Sequence, residues 1–246
     1  QENIDGLSAI GKNAAIVRLS KSFHMKQIFL TLGVLACSAT FAASAPLNPI
    51  AVYTFENGLV TDDSGNGNTG TSGGGVTLAP GSGFDGGAAA SFNGTGFQSG
   101  IDTGIDINKS ALSSMTMGAW VFMDSLGTGA PKVLSHDNIN FDRTLGVDTR
   151  GDEAGTGFAA FTGAGVADAA GSAPIGIWQH IAVVYDGANS ALYVNGLEAE
   201  TFSDVTPLNA STLDLHIGGN PGFNEGWDGL IDDVFVYGRA LNATDI

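Results

Sequence analysis

The chain has 246 residues, of which 37 are Gly and 14% are charged, and its formal net charge is -16 at pH 7. That acidity repels a phosphate backbone and excludes nucleic acid as a partner, while the single cysteine, Cys37, excludes an intrachain disulfide framework. Once the N-terminal segments are set aside, the length suits one sandwich of about 200 residues rather than two domains.

Met25 is the expected natural start, because Met25-Lys26 forms a short positive region before the apolar run Ile28 to Ala36. Thr40-Phe41-Ala42 or Ala43-Ser44-Ala45 then supplies a small-residue cleavage site. Residues 1–24 read as upstream sequence or a tag, 25–42 as a secretory signal peptide, 43–49 as a short linker and 50–246 as the domain. The signal is too short to remain as a bilayer span, so the mature chain carries no transmembrane segment. A second reading takes Val34-Leu35-Ala36-Cys37 as a lipoprotein box that leaves Cys37 lipidated. Either way the expected location is outside the cytoplasm, secreted or at a bacterial cell surface.

After Ala45 short apolar runs alternate with Gly, Asn, Asp, Ser and Thr, and no useful 3.6-residue apolar stripe appears. Ala51 to Phe55 is the first predicted strand, closed by Glu56-Asn57-Gly58. Thr61 to Gly70 holds too many Gly and Asn for a strand interior and reads as a structured, oxygen-rich loop. Ala88 to Phe92 follows, and then Gly118 to Phe122, in which Trp120 is expected to be buried. Ile177 to Tyr185 is apolar in both of its alternating sets, which predicts a strand packed between layers. Asn195-Gly196 between extended runs is a strong hairpin signal, since both turn residues need positive φ. Leu215 to Gly219 and Leu230 to Tyr237 complete a pattern of about ten to twelve strands, an all-β, two-sheet antiparallel sandwich.

Eight ordered phrases carry a family resemblance. They are Tyr53-Thr54-Phe55-Glu56-Asn57-Gly58, Asp63 to Asn68, Ala90-Ser91-Phe92-Asn93-Gly94, Met117-Gly118-Ala119-Trp120-Val121, Trp178 to Gly187, Leu192-Tyr193-Val194-Asn195-Gly196, His216-Ile217-Gly218-Gly219 and Gly229 to Leu241. In order and spacing they resemble bacterial LamG-like jelly-roll domains of the concanavalin A-like lectin/glucanase superfamily. The resemblance implies a jelly-roll sandwich with a structural calcium ion (Ca2+) near the meeting of the first and last strands. Carried over residue by residue, it points to Glu56, Asp63 and Asp232 as metal ligands, with Asp233 in reserve and loop carbonyls completing the shell. Asp232 and Asp233 cannot both reach one ion from a regular strand, because adjacent side chains point to opposite faces. The alternative is that Asp63 and Asp232 cap turns and pair with Arg239.

Relatives with laminarinase activity resemble this architecture and carry Glu-x-Asp followed shortly by Glu, because retaining hydrolysis needs two carboxyls about 5–5.5 Å apart. The nearest candidates here are Glu198 and Glu200, which share one face if their strand is regular, and the Asp152-Glu153 pair in a Gly loop. Neither fits, and no Gly-x-Ser-x-Gly elbow or phosphate loop is present, so no enzyme is expected. His180 is expected to be a hydrogen-bonded core residue and His136 an exposed one, and His216 is too distant in sequence to declare a metal site with them.

The expected function is a carbohydrate-binding or adhesion module, whose partner is a glycan or an extracellular or cell-surface protein. Loop Asn and Asp would bond hydroxyls and an aromatic ring would carry the sugar face. The candidates are Asn138, Asn140, Phe141 and Asp142 in one loop and Asn220, Phe223, Asn224 and Trp227 in another, against the alternative that Phe223 and Trp227 pack under the last turn. A structural or protein-interaction module, and an accessory domain of a larger secreted glycoside hydrolase, remain as competing readings.

Overall fold

Apolar residues recurring at every second position, interrupted by Gly and Asn, fold into strands throughout, and the described residues contain fifteen strands and no helix. The computed structural model describes residues 48–96, 99–126, 130–138, 141–149, 157–169 and 172–246, all within the unit Pro46–Ile246. The signal segment, Cys37, Asn140 and the Asp152-Glu153 pair lie outside the described residues.

The first sheet runs β13 (Leu197–Ser203), β12 (Asn189–Val194), β11 (Trp178–Tyr185), β6 (Met115–Met123), β15 (Asp228–Tyr237), β4 (Ala88–Asn93) and β3 (Val76–Pro80), with β1 (Ala51–Tyr53) also paired to β15. The second runs β10 (Val166–Asp168), β9 (Phe158–Phe161), β8 (Thr144–Val147), β7 (Lys132–Ser135), β14 (His216–Ile217), β5 (Ile101–Asp102) and β2 (Thr71–Ser72). The strand pairs are antiparallel, as a jelly-roll sandwich requires. The strand count exceeds the expected ten to twelve because β2, β5 and β14 are two residues long, too short for periodicity to reveal.

One core fills the space between the sheets. Met115, Met117, Ala119, Val121 and Met123 of β6 enter it beside Ile181, Val183 and Tyr185 of β11, and meet Val133, Leu145, Val147 and Ile217 of the second sheet. That phase turns Thr116, Gly118, Trp120 and Phe122 outward. Trp120, expected in the core, is therefore half-buried on the outer face. β11 likewise does not lie between two layers. Its outward set is apolar because Ala182 and Val184 form a small second cluster with Tyr193, covered by Phe235, Ala240 and Ile246.

Two local features set this outer face. Asn195 and Gly196 take φ of 51° and 75°, closing the β12–β13 hairpin as their sequence predicts. In β15 the register with β6 shifts between Asp232 and Phe235, where Asp233 adopts φ 47°. This bulge leaves Asp232 opposite Trp120 and Phe235 opposite Gly118.

Gly118 is needed there: a Cβ would stand 2.5 Å from the Phe235 ring, 2.6 Å from Ile181 O and 2.8 Å from Ala182 Cβ. Gly118→Val is expected to destabilise the domain by about 1–3 kcal/mol through overpacking against backbone that cannot yield, read as a lower urea midpoint at unchanged slope.

Candidate functional site

The aromatic residues turned outward from the first sheet form a continuous belt. Phe84, from the Gly-rich loop between β3 and β4, stacks on Trp120 with ring centroids 3.4 Å apart and planes 9° apart. Trp120 meets the edge of His180 at 5.3 Å, and His180 stacks on Phe235 at 5.8 Å. On the other flank Trp178 contacts Phe84 at 6.2 Å and Phe122 at 5.7 Å. Phe84 is 43% exposed and the strand rings are half-buried, so the belt is partly open to solvent. Beside the belt a cavity of about 350 Å³ is lined by Trp120, His180, Asn195, Gly196 and Ile246. Its volume falls in the range of small-molecule sites, and its polar groups are few, as such sites require. Asn195 is fixed by giving Nδ2–H to Gln179 Oε1 (2.8 Å) while its Oδ1 accepts from His180 N–H (3.0 Å).

Next to Trp120 lies an acidic corner. The Phe84 N–H donates to Asp232 Oδ2 (2.9 Å), and the Ala88 N–H donates to Glu56 Oε1, so two carboxylates pin the loop that carries Phe84. Burial, followed by the charges of Asp233 and Asp85, pushes Asp232 up to about 6. Burial and the charges of Asp85 and Glu56 also raise Asp233. Glu56, Asp85, Asp232 and Asp233 thus share one corner.

The bulge removes the premise that Asp232 and Asp233 cannot converge, since the strand is not regular where they sit. Asp63 turns into its own loop instead: Oδ2 accepts from Thr54 N–H (3.1 Å) and Thr54 Oγ1–H (2.5 Å), and Oδ1 from Asn57 Nδ2–H (2.8 Å). Neither Asp63 nor Asp232 pairs with Arg239, while Lys109 and Arg143 pair with Asp204. No three His, Cys, Asp or Glu side chains among the described residues stand in a ready-made metal arrangement. The corner offers only hard oxygen donors, which is the chemistry calcium takes.

The loop candidates are only partly gathered. Asn138 and Asp142 meet through the Asn138 N–H and Asp142 Oδ2 (3.3 Å), but Asn138 Oδ1 and Asp142 Oδ1 are buried without a hydrogen-bond partner, away from any incoming ligand. Phe141 is 38% exposed and packs edge-on against Phe161. Trp227 is not a binding residue: it is fully buried in the core with its Nε1–H donating to Leu230 O (3.3 Å), whereas Phe223 is on the surface. The histidines exchange their expected places. His180 lies in the outer belt, and His136 is fully buried with both ring nitrogens unpartnered.

Glu198 and Glu200 are both exposed, but a register shift sets Glu198 opposite outward Tyr193 and Glu200 opposite inward Leu192. They face opposite sides, so the one-face geometry that acid catalysis needs is absent from this pair. The belt itself was missed in the sequence. Its signal was present in Trp120 and Phe122, two positions apart, and in Trp178 and His180, likewise two apart.

Residues 93–246 match the family described as the Concanavalin A-like lectin/glucanases superfamily. Among solved structures, domain 4 of AbnA, a GH43 extracellular arabinanase from Geobacillus stearothermophilus in complex with arabinotriose, shares 24% identity at a TM-score of 0.62, over 81% of this chain and 97% of that one. The binding domain of Paraclostridial Mosquitocidal Protein 1 shares 18% identity at a TM-score of 0.60, over 80% of this chain and 50% of its own. Trypanosoma rangeli sialidase in complex with sialic acid shares 17% at 0.57, over 79% of this chain and 31% of its own. At these identities the likeness is one of fold, and the chain spans half or less of the last two. No curated protein sequence matches. No helix among the described residues is long and apolar enough to cross a membrane.

His136 gives the domain a pH dependence. Burial, reinforced by the Arg143 charge and opposed by Asp106, lowers its pKa to about 4. Between that value and about 6.5 the unfolded chain binds the extra proton, so this contribution to stability is fully present above pH 6.5 and shrinks as pH falls toward 4. The loss is expected to be on the order of 3 kcal/mol. Denaturant titrations between pH 4.5 and 7.5 check it, and His136→Leu is expected to flatten the slope.

Proposed function

Because the chain belongs to the concanavalin A-like lectin/glucanases superfamily, we propose that it is a non-catalytic carbohydrate-binding module of a secreted or cell-surface protein, which holds sugar on the outer face of the first sheet. The observation that carries this reading is the cavity of about 350 Å³ bounded by Trp120, His180 and Asn195 and continuous with the aromatic belt. Ring faces bury the apolar side of a sugar, while the Asn195 side chain and the Gly196 backbone meet its hydroxyls. The Asn138 and Phe141 loop is the weaker site, since a sugar there meets one ring while the free acceptors beneath are sealed off.

An accessory domain of a larger glycoside hydrolase is the second reading, favoured by the match over 97% of a single domain of an arabinanase. Under either reading, Trp120→Ala is expected to weaken binding of the recognised oligosaccharide about tenfold, the loss of one aromatic contact. Titration calorimetry across neutral oligosaccharides, arabinotriose included, checks this; full affinity in a normally folded Trp120→Ala protein rejects the site.

A structural calcium ion at the acidic corner completes the proposal. Glu56, Asp85, Asp232 and Asp233 would hold it, in place of the expected set with Asp63, and their mutual repulsion would be relieved. EDTA is then expected to lower the Tm and added Ca2+ to restore it, with a smaller response in Asp233→Asn. A Tm indifferent to both additions rejects the ion.

A further inference from the structure

We infer that the glycan held on the outer face is an uncharged, extended chain, and that acidic sugars are refused; this rests on the carbohydrate reading above. The extent of the ligand follows from the rings. The cavity is bounded by Trp120 and His180, yet stacked or edge-on contacts continue from Trp178 through Phe84 and Trp120 to His180, Phe235 and Tyr237, with the last two rings 5.7 Å apart. These residues come from β11, β6, β15 and the loop after β3, so the belt crosses three neighbouring strands. A ligand that only filled the cavity would meet Trp120 and His180 but not Trp178, Phe84, Phe235 or Tyr237. A chain of sugar rings would set one ring at the cavity, beside the middle of the belt, and lie along the belt to either side of it.

The charge of the ligand follows from which described side chains line the cavity. A carboxylate or sulfate is bound most strongly where Arg or Lys contacts it. Trp120, Asn195, Gly196 and Ile246 bring no Lys or Arg to the cavity, and burial pushes the His180 imidazole below its usual value, which disfavours its charged form. No cation among the described residues lines the cavity. Lys109 and Arg143 are on Asp204, and Lys132 lies 3.9 Å over the Phe161 ring of the second sheet. Arg239 acts on Tyr237 at the far end of the belt, where Asp245 opposes it. On the other side of Trp120 stand Asp232, Asp233, Asp85 and Glu56. An acidic sugar stacked on Trp120 would bring its charge toward these carboxylates, in a protein already at -16. A neutral ring meets no such penalty, and the side chains lining the cavity include no Lys, Arg, Asp or Glu whether or not the corner carries a cation.

The test is titration of the purified protein, followed by calorimetry and tryptophan fluorescence, with cellohexaose, xylohexaose, mannohexaose and arabinohexaose against hexagalacturonate and sialyllactose. At least one neutral hexaose is expected to bind, its disaccharide to bind at least about tenfold more weakly, and both acidic probes to bind at least about tenfold more weakly than the hexaose. Trp120→Ala is expected to abolish the difference, and neutral binding to be insensitive to salt. Acidic probes that bind as tightly as the neutral ones through Trp120 overturn the charge inference and leave the carbohydrate reading standing. A disaccharide as tight as the hexaose overturns the extended chain. Absence of binding by every probe overturns the carbohydrate reading itself. Self-association in sedimentation that Trp120→Ala relieves assigns the face to a second copy of the chain and overturns both.

Discussion

The bulge in β15 is the constraint on which the rest of the first sheet depends. β15 is paired along its length with β6, and on its other side with β4 and then β1. Asp232 and Phe235 both point outward although they are three positions apart, while Ile231, Val234 and Val236 enter the core. A regular strand could not do this, since an odd spacing sends side chains to opposite faces. The residue that absorbs the extra position is Asp233, at φ 47°. Such a conformation costs about 1–2 kcal/mol for most residues, and Asp is among those that tolerate it best. One local strain therefore fixes three things: an unbroken core, Phe235 seated over Gly118, and a carboxylate beside Trp120 that reaches the Phe84 loop.

The second sheet carries the complementary device. Arg143 is fully buried, donates from its guanidinium Nη1 to Ile107 O (3.1 Å) and Leu112 O (2.7 Å), pairs with Asp204 (3.4 Å), and lies over the Tyr185 ring at 4.9 Å. The Tyr185 hydroxyl in turn donates to Phe161 O (3.1 Å), tying β11 of the first sheet to β9 of the second. A buried ion pair is weak support for stability by itself. Its effect here is one of placement. Arg143 carries positive charge inward to join loops to the core, while the cavity on the outer face of the first sheet is lined by aromatic rings, an amide and aliphatic groups.

What the sequence disclosed and what it hid follow from range. The Asn195-Gly196 hairpin and the jelly-roll class were legible because turn chemistry is local and every strand carries its own period of two. Which of two alternating sets faces inward was not legible wherever both were apolar, as in β11 and around Trp120, because Ala240 and Ile246 reach that face only through tertiary contact. Glu56 and Asp232 do come to one corner. Asp63 is taken by Thr54 and Asn57, and Asp85 escaped notice because nothing in its Gly-rich loop shows that the loop folds over Trp120. His136 and His180 were exchanged for the same reason: a histidine fits either side of a strand, and only packing decides.

Among the described residues β13 pairs only with β12 and is exposed for most of its length, while at the far end of the same sheet β3 pairs only with β4 and finishes in Pro80. Unpaired strand edges are templates on which a second molecule can polymerise. Pro80 offers no N–H to such a visitor. On β13, Glu198 and Glu200 stand on opposite faces because of the register shift, so a newcomer docking from either side would bury an unpaired charge. The carboxylates that looked most like catalytic acids thus place charge along the open edge of a sheet of eight strands, where it disfavours pairing with a second chain.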